Sequence, residues 1–340
     1  MVDLTPEFGP KRTFFKMQDK TEWFAKCGWG VFCHYLGAAP SSDGGPGLTS
    51  EDWSRRIDGF DVAGLAEQLG GFGTSYFFIT IGQNSGHYLA PNSTYDRYVG
   101  ISPSKCSRRD LVLDLHEALA PRGIRLLVYL PSGAPAADPV AVERLGWQWG
   151  FEGDWRDAWE PKRTGNRLAE FQRKWEAVIR EWSERWGTKV SGWWIDGCYF
   201  ADEMYRCEDE PNFRSFAAAL KAGNPDAIVA FNPGVLTPII CHTEHEDYTA
   251  GEIAQALPEC PGPWVERDGH RARFHILSYL GESWGRGSPR FPDELVLGYT
   301  KHVISKGGVI TWDVPISKTG LIPEPFVRQL TFLSRRLSRS

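Results

Sequence analysis

The sequence predicts an α/β protein of the TIM-like (β/α)₈-barrel class. Short runs rich in β-branched and aromatic residues recur along the chain, and segments with apolar residues at helical spacing separate them. The runs are almost continuously apolar rather than alternating, which suits strands buried on both faces, as in a parallel sheet covered by helices. Strand followed by helix, repeated about eight times over roughly 300 residues, fits a barrel. An open doubly wound sheet is the competing architecture, but no GxGxxG or P-loop follows any run.

The strand candidates are Trp29–Tyr35, Tyr76–Gly82, Arg125–Pro131, Ser191–Gly197, Ala227–Pro233, Phe274–Leu280 and Gly307–Val314, with a weaker sixth near His245–Thr249. Arg109–Ala120 reads as a helix that Pro121–Gly123 stops. Arg167–Trp186 is long and amphipathic, and Asp293–Lys306 and Pro323–Arg336 behave similarly. Gly37–Gly47 and Ser132–Gly165 are long loops rich in Gly, Pro and Trp. They follow the first and third strands, at the end where a barrel builds its site. No linker or low-complexity tract interrupts residues 1–340, so a single domain is expected.

Composition narrows the function. The 340 residues are 41% hydrophobic with net charge -5, and no long basic run occurs. That argues against an electrostatic nucleic-acid binder or a membrane-surface protein. No stretch approaches the ~18 apolar residues of a membrane span, and MVDLTPEFGPKR lacks a secretory pattern. A cytoplasmic location is the expectation for the chain as given. Seven scattered cysteines show neither CxxC nor zinc spacing, so free thiols and no metal are expected. No organic cofactor is signalled either, and oligomeric state is not legible. Fifteen tryptophans are either a large aromatic core or stacking platforms for the apolar C–H faces of sugar rings.

Polar and aromatic residues cluster at the strand ends, which on a barrel converge on one mouth. They are His34 and Tyr35; Gln83, Asn84 and His87; Tyr129 and Ser132; Asp196; Asn232; Glu252; Glu282 and Trp284; Trp312 and Asp313. Carboxylates among aromatics suggest cleavage of a glycosidic bond, which needs one carboxylate as nucleophile or base and one as proton donor. Asp196 is the leading candidate, because an apolar strand runs straight into it and a carboxylate there is costly unless bonded or functional. A structural loop cap is its plainer role. Glu252 follows, although a first-turn glutamate favoured by a helix dipole is the alternative. Glu203, Glu244, Glu246, Asp247 and Glu282 compete with it. His34 could donate to a sugar hydroxyl or be a satisfied core histidine.

These segments together resemble the α-L-fucosidases of glycoside hydrolase family 29. WFAKCGWGVFCHY from Trp23 resembles the family's opening WF…AKFGIFIHWG. RRDLVLDLHEALAPRGIRLLVYLPS resembles its RDLV…A…RG…GLYYS segment. GWWIDG resembles the strand bearing the nucleophile, and DYTAGE the short segment that in some members carries the acid/base. YLGESWG and VISKGGVITWDVPISKTGLIP resemble NDSWGY and VSKGGNLLLNIGPDADGTIP. The likeness is collinear over about residues 20–330. It implies an exo-acting, retaining hydrolase with Asp196 as nucleophile, Glu252 as acid/base and a carbohydrate substrate. His34, Asn84, His87 and Asn232 are then candidates for hydroxyl contacts, with Tyr35, Gln83 and Tyr129 beside them. Trp194, Trp284 and Trp312 are candidates for stacking or a leaving-group subsite.

The chain departs from that pattern where the family reads its sugar. QNSGH (83–87) stands where the family has HHDGF, and Tyr35 and Leu36 replace its Trp-Gly. TWDVPIS replaces LLNIGPD, and the family's C-terminal β-sandwich has no room. A pocket retuned to an L-galactoside or arabinopyranoside, and a barrel that binds glycans without cleaving them, therefore stand beside the fucosidase reading.

Overall fold

A computed structural model of the chain describes residues 19–38, 47–150 and 163–337. In chain order its elements are α1 (Glu22–Cys27), β1 (Trp29–Cys33), α2 (Ser50–Asp58), α3 (Val62–Phe72) and β2 (Tyr76–Thr80). Next come α4 (Ser93–Val99), α5 (Leu111–Leu119), β3 (Arg125–Pro131), α6 (Pro139–Leu145), α7 (Ala169–Trp186) and β4 (Val190–Asp196). Then follow α8 (Ala201–Met204), α9 (Phe213–Leu220), β5 (Ile228–Phe231), β6 (Trp264–Arg267), β7 (His270–Arg273) and β8 (His275–Tyr279). The last are α10 (Asp293–Ser305), β9 (Val309–Asp313) and α11 (Glu324–Leu337). The long loops expected at Gly37–Gly47 and Ser132–Gly165 lie partly outside the described residues, and the second is not all loop, since α6 forms within it behind the Asp138 cap and a proline in its first turn.

Seven strands form one curled parallel sheet in the order β5-β4-β3-β2-β1-β9-β8, flanked by helices. The apolar runs became these strands because both faces are covered. One face packs into the hollow of the curl, where Phe32, Phe78, Leu127, Trp194, Ala230 and Leu277 meet. Their chain neighbours, such as Val31, Phe77, Val128, Trp193 and Ile276, join the helices in a larger outer core. That alternation is the two-residue period of a strand. Helix α1 closes the N-terminal end of the hollow, with the Phe24 ring 4.8 Å from Tyr76 and 5.1 Å from Tyr248.

The expected sixth strand at His245–Thr249 is not one. Residues 247–253 instead run irregularly between the sheet edges, β5 and β8. Asp247 N–H donates to Val229 O (2.8 Å), and Ile253 N–H to Leu277 O (3.0 Å). Thr249 N–H still donates to Arg273 O (2.9 Å), but at His275 the Thr249 hydroxyl stands in for the main chain, accepting from His275 N–H (2.9 Å) and donating to His275 O (2.8 Å). Gly251 follows at φ +61°, where an added Cβ would lie 1.9 Å from His275 O. Only glycine permits that approach. A short antiparallel hairpin, β6–β7, has no counterpart among the strand candidates.

The tryptophans are mostly core. Trp53, Trp175, Trp182, Trp186, Trp193 and Trp312 are fully buried. Trp175, Trp182 and Trp186 lie along the apolar face of α7 with Phe171, Val178 and Ile179, at the spacing that makes one helical stripe. All seven cysteines are free thiols, five of them buried. Among the described residues no helix is long and apolar enough to cross a membrane.

Candidate active site

The C-terminal ends of the strands open into a cavity of about 490 Å³. Among the described residues, the carboxylates on its wall are Asp196 and Glu252, joined by His34, Gln83, Tyr129, Trp194 and Trp284. Seven of the sequence-predicted positions thus meet in one place.

Asp196 closes β4 on the inner face, two residues after Trp194. Its Oδ2 accepts from the Tyr129 hydroxyl (2.5 Å), and its Oδ1 from Asn232 Nδ2 (2.9 Å) and the Tyr199 hydroxyl (3.2 Å). Gln83 Nε2 donates in turn to the Tyr129 oxygen (2.6 Å). Tyr129 lies nearly parallel to Trp194, at 5.4 Å and 16°.

Asn232 follows β5 and is fully buried. Its backbone is held on both sides, N–H to Ile195 O (2.8 Å) and C=O from Cys198 N–H (2.9 Å). Its amide nitrogen also donates to Glu252 Oε2 at 2.6 Å. One nitrogen therefore bridges the two carboxylates, and their nearer oxygens are no farther apart than two hydrogen bonds laid end to end. Glu252 sits in the irregular segment, paired through its backbone with Leu277. Burial, reinforced by the negative charge of Asp196, pushes its carboxyl up to about 7, against the Asn232 hydrogen bond and the charge of His34.

His34 turns Nδ1 to Asp313 Oδ1 (2.8 Å), which leaves Nε2 for the cavity. Asp313 is fully buried and also accepts Gly285 N–H (2.6 Å). Burial pushes its carboxyl up, and the His34 and Gly285 contacts oppose that.

Other sequence-predicted positions lie away from this cavity or have their polar groups already bonded. Tyr35 is buried among Trp53 and Phe60, its hydroxyl on Lys318 O (2.7 Å), because it leaves β1 toward the outer core. His87 is buried against Trp53, away from this cavity, and burial lowers it to about 4. Asn84 faces a separate side cavity. Asn232 has its amide committed to the carboxylates rather than free for a hydroxyl. Trp312 is turned outward because its neighbour Asp313 points in, and its Nε1 donates to Thr300 Oγ1 of α10 (3.0 Å). Trp312→Ala is therefore expected to cost about 3–5 kcal/mol of stability, the range for a buried aromatic. Denaturant midpoints check this; Trp284→Ala, at the cavity wall, should instead raise KM.

The competing carboxylates are engaged elsewhere. Glu246 is buried and accepts His242 N–H (2.7 Å), Asp247 pairs with Lys221 (2.7 Å), and Glu203 with Arg163 (2.9 Å). Glu244 lies 3.6 Å from His245, and Glu282 is exposed. Neither Arg56 nor Arg286, which also line this cavity, stands out in the sequence; Arg56 comes from α2 and packs its guanidinium over the Tyr35 ring at 4.8 Å. Tyr199, which bonds Asp196, sits in a loop with no local motif and lines the neighbouring cavity. Among the described residues no group of three or more His, Cys, Asp or Glu side chains is placed to hold a metal ion.

No protein-family model matches the sequence, and no curated protein matches it. Solved structures do share the fold. The endo-fucoidan hydrolase MfFcnA4 of glycoside hydrolase family 107 superposes with a TM-score of 0.69 at 19% identity, covering 94% of this chain and 53% of that one. The chain thus spans about half the length of that protein. Endo-fucoidan hydrolase P5AFcnA, also of family 107, gives 0.66 at 16% identity, covering 94% of each chain. A family 29 α-L-fucosidase from Bacteroides thetaiotaomicron gives 0.62 at 16% identity, covering 99% of this chain and 77% of that one. The structural likeness therefore extends to both families and is not specific to family 29.

Proposed function

We propose that this chain is an exo-acting, retaining glycoside hydrolase for α-L-fucosides, with Asp196 as nucleophile and Glu252 as general acid and base. The observation that carries the reading is the single Asn232 nitrogen held 2.9 Å from Asp196 and 2.6 Å from Glu252. Inverting pairs stand ~6.5–9.5 Å apart to admit a water, whereas retaining pairs stand ~5–5.5 Å apart. Two hydrogen bonds favour the shorter spacing.

In the first step the Asp196 carboxylate attacks the anomeric carbon while Glu252 protonates the departing oxygen. In the second, Glu252 takes a proton from water, whose oxygen displaces Asp196. A carboxyl pushed up to about 7 suits both duties near neutral pH. Trp284 and Trp194 offer aromatic surface to the ring, and His34, oriented by Asp313, offers Nε2 to a hydroxyl. The structural neighbours include enzymes named for fucosides and for fucoidan, which supports a fucose-related sugar. Residues 247–253 act in this reading as the eighth stave that closes the barrel.

A second reading keeps the mechanism and changes the sugar. It is favoured by the β2 turn, where Gln83 alone of the QNSGH stretch reaches the main cavity and His87 is buried away from it. A panel of aryl glycosides tests both. Cleavage of the α-L-fucoside supports the first reading; cleavage of an L-galactoside or arabinopyranoside in its place supports the second. No cleavage of any member moves the weight to a glycan-binding barrel.

Asn232→Ala should lower kcat by about 10- to 100-fold, the scale for hydrogen bonds to charged groups. The alkaline limb of its pH profile should move upward, because the lost donor favours the ionised form of Glu252. An unshifted limb would argue that the amide does not act on Glu252.

A further inference from the structure

A side cavity of about 160 Å³ adjoins the main one, and Gln83 and Asp196 line both. That volume is at least about ten times the ~10–15 Å³ a single water needs. Its far wall is aromatic. The rings of Trp147 and Trp149 meet edge to face at 4.7 Å, with Tyr199 and Phe200 beside them. The wall depends on small residues. A Cβ on Gly133 would lie 2.9 Å from the Trp147 ring, and one on Gly150 would lie 2.5 Å from Phe200. Trp149 remains 41% exposed and Tyr199 36%. Besides the Asp196 carboxylate, the cavity's polar side chains are the amides Gln83 and Asn84 and the hydroxyl-bearing Ser132, Tyr199 and Tyr205. Among the described residues no Lys, Arg or His lines the cavity.

Exposed aromatic faces beside neutral amides match a sugar ring, which has apolar C–H faces and a rim of hydroxyls. We propose that the side cavity is a second glycosyl subsite, which takes an uncharged sugar linked to the one held between Asp196 and Glu252. The ring stacks on Trp149, and Asn84 bonds its hydroxyls. The assignment rests on the glycoside hydrolase reading of the main cavity. It also moves the stacking role from Trp312 to tryptophans that follow α6.

The test is a tryptophan-fluorescence titration of the full chain carrying Glu252→Gln, which slows cleavage, with L-fucose and with an α-linked fucotriose. The triose should bind at least about tenfold more tightly than fucose, and adding Trp149→Ala should remove most of that gain. Asn84→Ala should remove part of it. In the otherwise wild-type enzyme, Trp149→Ala should lower kcat/KM for the triose about tenfold more than for 4-nitrophenyl α-L-fucoside. Fucose binding with no gain from the triose, or a gain that survives Trp149→Ala, overturns the subsite alone. If neither sugar binds and the wild type cleaves neither fucoside, the parent reading fails and the subsite falls with it.

Discussion

Asp196→Ala is expected to lower kcat/KM on the cleaved aryl glycoside by about 10³-fold or more, the scale for losing a nucleophile. In the proposed mechanism Ala cannot form the covalent intermediate, and it leaves the Tyr129 and Tyr199 hydroxyls without their acceptor and the Asn232 amide with Glu252 alone. The loss alone does not separate a nucleophile from a carboxylate that merely holds the site, so the product of azide rescue is the sharper readout. In Asp196→Ala a small anion can attack from the vacated side, giving a glycosyl azide of inverted configuration. In Glu252→Ala azide can instead occupy the acid/base side and attack the glycosyl-enzyme, giving the retained configuration. NMR of the two azides assigns the roles. Activity unchanged in Asp196→Ala, or the configurations exchanged between the two variants, would sink the assignment.

Glu252→Gln should cost about 10²–10⁴-fold, the range for general acid–base catalysis, with the larger loss on substrates whose leaving groups need protonation. The wild-type rate should fall as pH rises through about 7, where the raised Glu252 carboxyl gives up the proton it must donate. Glu252→Gln should flatten that limb. The same shift has a stability consequence, with a sign that can be worked out. Glu252 holds its proton to about 7 in the folded chain and to an ordinary value of 4.5 when unfolded. Between those values the folded state binds the extra proton, so this group's contribution to stability is lost as pH rises from about 4.5 through about 7. Thermal midpoints of wild type should fall across that window relative to Glu252→Gln. Parallel curves would mean the carboxyl titrates normally and would remove the raised-carboxyl support for its acid/base role.

Much of the architecture is legible in the sequence, because it depends on local pattern. Seven of the eight strand candidates pair in the sheet, since runs apolar on both faces have no other way to be buried. The long helices after Arg167, Asp293 and Pro323 likewise follow from their apolar stripes. The eighth candidate failed because Thr249 answers His275 with its side chain and Gly251 turns where a strand would continue. No propensity records that a hydroxyl will take the place of a ladder bond.

The site divides along the same line. Strand ends converge on any such sheet, so Asp196, Glu252, His34, Tyr129 and Trp284 could be nominated from position alone. Position along a strand does not say which way a side chain turns, and a shift of one residue reverses it. That is why Trp312 lies in the outer core while Asp313 faces His34. Nor does it say which groups share a donor. Asn232 is 36 residues from Asp196 and 20 from Glu252, and its amide reaches both only because β4, β5 and the irregular segment are packed side by side. The sequence by itself determined the layers of this protein and the chemistry at their rim. The tertiary structure decided which carboxylates stand one nitrogen apart, because that spacing is a property of two strand ends and the irregular segment at once.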